Sequence, residues 1–235
     1  MSSGARSSHR AERPLTRDRL IDAAGVIFAE RGYRGATMRE IADRSGANLA
    51  AAHYHFGSKQ ELYRDVVRTH FERLERRLAE SGAIDSVAMA RLSRDQLIAL
   101  LRARVRTMLE SFLDEESVHA TLMQRELADP SETLPFIVRR WIDPLRHDLV
   151  QLLQRLSPKL SEERLQLCAR SLMGQVIFYF SHRPALLLMM RRRVYPADFV
   201  DQITEHVVAF TLGGLDGVAN ASPRARRQRQ QEAKA

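Results

Sequence analysis

Residues Thr37 to Lys59 read TMREIADRSGANLAAAHYHFGSK, and this stretch decides the fold. Thr37 stands three residues before Glu40, and Ser58 three before Glu61. Each pair is an S/T-x-x-E capping box, in which the hydroxyl takes a free backbone N–H and the glutamate reaches back to the cap. Helices are therefore predicted to start just after Thr37 and just after Ser58. Between them Gly46 suits a sharp turn with positive φ, and Asn48 suits the cap of a second helix over about 49–54. Ala42, four residues before the glycine, is small enough to let two helices cross closely. The spacing predicts a helix-turn-helix backed by a longer third helix.

At these residues a resemblance becomes specific. The stretch resembles the DNA-binding segment of the TetR family of transcriptional regulators. Asn48-Leu49-Ala50-Ala51 followed by Tyr54-His55-Phe56-Gly57-Ser58-Lys59 resembles the CecR-like branch of that family. The resemblance implies an all-α protein: an N-terminal three-helix reader, and a C-terminal helical domain for ligand binding and dimerisation. It also implies double-stranded operator DNA, a second copy of the chain and a small-molecule effector as partners, with no cofactor. Carried over residue by residue, Leu49, Ala50, Ala51 and His53 face base edges together with Arg39. Thr37, Tyr54, His55 and Lys59 match phosphate-contacting positions, and Asn48 opens the reading helix. Arg17 and Arg19 would add backbone or minor-groove contacts. Phe56 reads as a core aromatic. His53 and His55, two residues apart, point to different faces and do not make a metal pair. Position 52 has only a methyl group where many relatives carry a bulky aliphatic residue.

Composition bounds the rest. A chain of 235 residues can bury a substantial core, and 44% hydrophobic against 28% charged residues describes an ordinary globular protein. No apolar run is long enough to span a membrane, and the first residues lack the apolar core of a secretory signal. Cys168 is the only cysteine, so no intramolecular disulfide can form, which fits a cytoplasmic setting. The net charge of +8 is unevenly placed. Residues 1–60 hold ten Lys/Arg against six Asp/Glu, and residues 221–235 hold five against one. Positive chain ends favour polyanions through counterion release.

The chain divides into a disordered basic arm (1–15), a reader domain (16–60), a helical effector-binding and dimerisation domain (61–219) and a disordered basic tail (220–235). A first helix is expected from Thr16 to Arg31, closed by Gly32. The third reader helix continues to about Glu80. Ser93-x-x-Gln96 is a further capping box and starts a helix rich in leucine. Others are expected over about 115–128, 132–156, 161–181, 184–190 and 197–215. Pro144 falls inside one of them and demands a kink or a break. The 161–181 and 197–215 helices carry more apolar residues than one core face requires, and the family resemblance assigns the dimer interface to them.

A pocket is expected among residues 93–181, drawing on Phe112, Met123, Arg125, Trp141, Gln175, Phe178 and Tyr179. Apolar walls with a few polar groups describe ligand pockets in general. Arg125 and Gln175 are the polar members that need a partner. No phosphate-binding loop, metal motif or nucleophile with an assigned base is present, so an enzyme has little support. The reading that follows is a ligand-responsive repressor that binds a palindrome as a homodimer. An activator, or a DNA-binding protein without effector control, is the alternative.

Overall fold

The computed structural model describes residues 8–80, 88–89, 91–113 and 118–221, the side chains of 8–15 and 119 excepted. Every regular element among them is helical: α1 (Ser8–Gly35), α2 (Met38–Ser45), α3 (Leu49–Phe56), α4 (Lys59–Glu80), α5 (Arg94–Leu113), α6 (Val118–Ala128), α7 (Leu134–Ile137), α8 (Asp143–Leu156), α9 (Glu162–Ser181), α10 (Arg183–Met189) and α11 (Phe199–Asn220). A π-helical turn, Val138–Ile142, joins α7 to α8.

Two boundaries differ from those expected. The first helix begins at Ser8, not Thr16, and runs through Pro14. It breaks at Gly32 (φ 71°, ψ 171°), where the stop was expected, before one more turn to Gly35. The last helix runs on to Asn220, so its glycines 213, 214 and 217 do not end it. The part of the arm before residue 8 and the tail from residue 222 lie outside the described residues.

The chain forms two compact units that do not follow chain order. One contains α1–α3, α4 as far as Arg73, and the segment from α6 to Trp141; the other contains the remainder. In the first unit Leu20, Ala24 and Phe28 of α1 are fully buried, as are Ile41, Ala42, Ala52 and Leu62. Ala52 thus fills its site with a methyl group alone. Tyr63 meets Phe28 edge-on at 4.8 Å and Tyr33 at 5.1 Å. Against this cluster α6 places Glu126, a carboxylate only 2% exposed. It accepts hydrogen bonds from the Tyr63 hydroxyl (2.6 Å), the Ser131 amide (3.0 Å) and the Ser131 hydroxyl (2.8 Å). Burial, then the carboxylate beside it, raises the Tyr63 pKa well above the usual phenol value. The neighbouring Arg125 donates to the carbonyls of Ala29 and Glu30 (2.5 Å to the latter), the last turn of α1 before its break. Two adjacent side chains of α6 thereby hold α1 and α4.

Pro144 explains the π-helical turn. A proline there has no N–H for the carbonyl four residues earlier, and its ring would strike that carbonyl. The wider turn over Val138–Ile142 absorbs the misfit. It sets Trp141, 1% exposed, flat against Phe71 at 4.7 Å and edge-on to Phe136 at 5.3 Å.

In the second unit α5, α8, α9 and α11 share a leucine-rich core that includes Leu101, Leu109, Leu152, Leu153, Leu165 and Val207. The Ser93 capping box closes α5 as expected, with Ser93 N–H to Gln96 at 2.9 Å and Gln96 N–H to Ser93 Oγ at 3.3 Å. Arg102 pairs with Glu205 through two nitrogens, at 2.6 and 3.2 Å, and ties α5 to α11.

One residue of the first unit makes acid stability predictable. Burial, with Arg73 adding to it, pulls the His70 imidazole down from its ordinary 6.5 to about 4. Below pH 6.5 the unfolded chain takes up a proton that the folded one refuses until about pH 4, so stability falls with pH across that window. Urea unfolding from pH 7 to 4.5 is expected to show a loss on the order of 2 kcal/mol in the wild type. His70→Gln should flatten that slope, and an unchanged slope would move the acid sensitivity elsewhere.

Candidate nucleic-acid interface

The stretch that opened the sequence analysis folds as α2, turn, α3 and the start of α4. Thr37 forms a complete capping box: its Oγ accepts from the Glu40 N–H (3.3 Å), and the Glu40 carboxylate accepts from the Thr37 N–H (3.2 Å). The Glu40 carboxyl is held below its usual value, first by its hydrogen bond to the Thr37 side chain. Its contribution therefore belongs to pH values above the carboxylate range and is lost as pH falls through the lowered pKa. Gly46 (φ 68°) ends α2 in the left-handed region, and its N–H returns to the carbonyls of Ala42 and Asp43. Asn48 caps α3, its side-chain oxygen taking the Ala51 N–H at 2.7 Å.

The second capping box forms only by half. Ser58 Oγ accepts from the Glu61 N–H at 3.2 Å, but the Ser58 N–H goes to the Phe56 carbonyl at 2.7 Å. Glu61 turns to Arg64 at 2.6 Å instead. The tight turn at Gly57 has already satisfied the amide that Glu61 would have reached.

The structure brings the ten sequence-derived contact residues into one short segment, with their chemistry exposed to different degrees. Leu49 is 40% and Tyr54 67% exposed; Arg39, Asn48, Ala50 and His53 are exposed, and Ala51, His55 and Lys59 half-buried. Thr37 is exposed at the first turn of α2. The packed side of the same segment holds Ile41, Ala42, Ala52 and Phe56. One face of α3 is thus buried, and the other offers methyl groups beside one imidazole.

Three side chains are more constrained than the sequence implied. His53 Nδ1 lies 3.0 Å from the Gly57 carbonyl, which makes Nδ1 the donor and leaves Nε2 as an acceptor when the ring is neutral. Lys59 donates from Nζ to the Ala36 carbonyl at 3.1 Å and lies over the Tyr33 ring at 4.6 Å. Among the described residues its ammonium has this one acceptor, and it carries three N–H groups. Tyr33, which supplies this platform, was not singled out in the sequence, where an aromatic after Gly32 was the available signal. Arg17 is bound to Asp65 and covers Phe56 at 5.4 Å, so its guanidinium braces the fold rather than reaching out.

The residues expected to line an effector pocket divide between the units: Met123, Arg125 and Trp141 in the first, Phe112, Gln175, Phe178 and Tyr179 in the second. Arg125 is committed to the α1 carbonyls, the partner that its polarity required. Phe112 stacks on Phe180 at 6.0 Å, and the Tyr179 carbonyl accepts from the Tyr195 hydroxyl at 2.7 Å. Gln175 lines an open groove of about 210 Å³ between α9 and α11, together with Leu167, Cys168, Phe210 and Thr211. Burial raises the thiol pKa of Cys168 there. Phe178 is 44% exposed.

Comparison with known proteins decides what this arrangement belongs to. Residues 20–66 match the description "Bacterial regulatory proteins, tetR family". Residues 97–215, half of the chain, match the C-terminal domain of the HTH-type transcriptional dual regulator CecR. The chain belongs to the TetR family of bacterial transcriptional regulators. This TetR-family regulator is 30% identical over 152 residues to the HTH-type transcriptional regulator BetI of Rhizobium meliloti, covering 65% of this chain and 71% of BetI. It is 27% identical over 216 residues to CecR of Shigella flexneri, covering 86% and 92% of the two chains. The HTH-type transcriptional activator FasR of Mycolicibacterium smegmatis is 42% identical over 71 residues, 30% of this chain and 32% of FasR. Among solved structures, a transcriptional regulator from Rhodococcus sp. Rha1 shares the fold with a TM-score of 0.62 at 24% identity, over 84% of this chain and 96% of that one. The TetR-family regulator is accordingly a helix-turn-helix DNA-binding protein, not an enzyme. Among its described residues no helix is long and apolar enough to cross a membrane.

Base readout in such a regulator is testable at a single side chain. Arg39 is exposed on α2 and has no ion pair among the described residues. Arg39→Ala is expected to cost about 1–3 kcal/mol of operator affinity and to relax preference at one position of each half-site, as for a guanine contact. Binding to a library of single-base operator variants checks this; uniform weakening across the library would make Arg39 a phosphate contact.

Proposed function

We propose that the protein is a repressor that binds a palindromic operator as a homodimer and leaves it when a small molecule binds its C-terminal helical domain. The observation that carries the reading is the outer face of α3, where Leu49, Ala50 and His53 are exposed and Ala51 is half-buried, on a helix capped at both ends. An α-helix of this kind fits the major groove, where each base pair presents its own pattern. Thr37, Tyr54, His55 and Lys59, with Asn48 at the helix start, flank that face as the phosphate-facing set. His53 Nε2, left as an acceptor, suits the amino group of adenine or cytosine. The apolar residues suit thymine methyl groups.

One such helix buries too little surface for high specificity, and a two-fold dimer presents two to a palindrome. The second copy is supported by α9 and α11. Along α9 an exposed stripe runs Leu167, Ser171, Gly174 and Phe178; along α11 it runs Phe210, Gly213, Gly214 and Gly217. Apolar side chains interleaved with glycines let helices of a partner approach closely. Ligand control is supported by the match to the CecR C-terminal domain. AibR, which shares the fold with a TM-score of 0.56 at 18% identity over 83% of this chain, was solved with isovaleryl coenzyme A and operator DNA. A protein of this kind works in the cytoplasm, beside its DNA.

Selection of bound fragments from the source genome would give the operator, and a ligand screen for release would test the effector. Enrichment of a sequence without inverted half-sites would end the homodimer reading, and transcription from the selected promoter in vitro would give the sign of regulation. FasR, an activator, makes that last measurement necessary.

A further inference from the structure

Between α9 and α11 the chain makes an arm, residues 183–198, that the proposed function leaves unused. Leu188 and Met189 are 79% exposed each, Val194 is 55% and Met190 36%. Arg191, Arg192 and Arg193 follow, all exposed and without an ion pair among the described residues. From Arg183 to Asp198 there are four arginines and one acidic residue, Asp198, whose carboxylate accepts from Gln202 at 2.7 Å.

The arm is built. α10 closes with the Met190 N–H on the Leu186 carbonyl (2.9 Å), and the chain then turns through Arg191 at φ 53°. The Arg192 N–H returns to the Leu187 carbonyl at 2.9 Å. At its base Tyr195 stacks on Phe199 at 4.0 Å, donates its hydroxyl to the Tyr179 carbonyl at 2.7 Å, and lies under Arg183 at 5.5 Å. The leucine and methionine stand exposed on a fixed support, with no burial among the described residues.

We infer that this arm packs on a second copy of the chain and sets the dimer antiparallel. The inference rests on the homodimer reading above. Both ends of the arm enter the helices whose exposed stripes form that face, and Phe178 on the α9 stripe stacks on His182 at 4.6 Å, immediately before the arm begins. The charges then choose the orientation. Arg164 donates to the Val218 carbonyl at 2.9 Å, which sets the start of α9 beside the end of α11. At that end, about 30 Å along α9 from the arm, stand the exposed Glu162, Glu163 and Asp216, none in an ion pair among the described residues. The cations there are otherwise engaged or set apart: Arg164 is bound to Val218, Arg170 lies 3.4 Å from Gln166, and Lys159 precedes α9. A two-fold axis perpendicular to the helices brings the arginine arm of each copy to the carboxylate end of the other, while a parallel pairing would set arm against arm.

Sedimentation equilibrium of the full chain over a dilution series tests this. The wild type is expected to be dimeric, and L188S/M189S to raise the dimer Kd about tenfold or more. Both side chains are exposed, so the variant should keep its circular dichroism and melting profile. R191E/R192E/R193E should weaken the dimer comparably at low salt, and E162K/E163K/D216K in the same chain should restore it. A dimeric wild type with both arm variants unchanged overturns the arm while leaving the homodimer intact. Weakening without rescue overturns the antiparallel arrangement. A monomeric wild type ends the homodimer reading and this inference with it. Loss of pelleting with phosphatidylglycerol vesicles in the arm variants, with dimerisation untouched, would assign the arm to an anionic membrane surface and overturn it also.

Discussion

Glu126→Ala is expected to destabilise the first compact unit by about 3–4 kcal/mol. The Glu126 carboxylate takes three hydrogen bonds in a site that is 2% exposed. Hydrogen bonds to a charged acceptor contribute about 1.5–3 kcal/mol each, and removing the acceptor leaves buried donors unmatched. The Tyr63 hydroxyl would lose its partner within the Phe28–Tyr33–Tyr63 cluster, and the Ser131 amide would lose the group that orders the turn after α6. Glu126→Gln keeps one oxygen and should cost about half as much, while Tyr63→Phe removes one bond and its donor together. Urea unfolding followed by circular dichroism, with hydrogen exchange in α1 and α4, measures the effect. If all three variants unfold with the wild type, the buried carboxylate is not what holds α6 in place.

Operator affinity is expected to fall about tenfold or more between 50 and 200 mM salt, as Lys59 of each copy neutralises a phosphate and releases its counterion. Thr37 and Tyr54 would add hydrogen bonds to phosphate without adding to the salt slope. Lys59 is the most informative of these. Lys59→Met should reduce the slope of log K against log salt by about 2 for the dimer, one for each copy, and weaken all DNA sequences alike. It will also lower thermal stability, because the Lys59 ammonium holds the Ala36 carbonyl and covers Tyr33. The two effects separate in one comparison: melting reports the bond to Ala36, and the salt slope reports the phosphate. A changed melting temperature with an unchanged slope would make Lys59 purely structural.

What was legible in the sequence was local. The Thr37 box, the Gly46 turn and the Asn48 cap involve groups within four residues of one another, and short-range chemistry of that kind survives folding. Pro144 announced a defect for the same reason, though not that it would take the form of a π-helical turn. The misses are of another sort. Arg125 was placed in a pocket because a polar residue among apolar ones needs a partner, and that partner proved to be a pair of carbonyls 95 and 96 residues away. Tyr63 and Glu126 are 63 residues apart, and nothing in either neighbourhood points to the other. The Ser58 box was half right because a tighter turn competed for the same amide. Within the helix-turn-helix segment the His53 tautomer and the Lys59 bond depend on backbone carbonyls that no side-chain pattern reveals.

The grip of α6 on α1 and α4 bears on how such regulators can be recombined. A reader excised at the end of α4 would leave behind the carboxylate that Tyr63 requires and the guanidinium that closes the end of α1. Grafting this reader onto a foreign sensor therefore needs a discontinuous transplant in which residues 118–141 travel with the first 73. The same rule applies in reverse: a cassette built from the second unit needs residues 74–114 together with the chain after Trp141, with the recipient supplying its own α6.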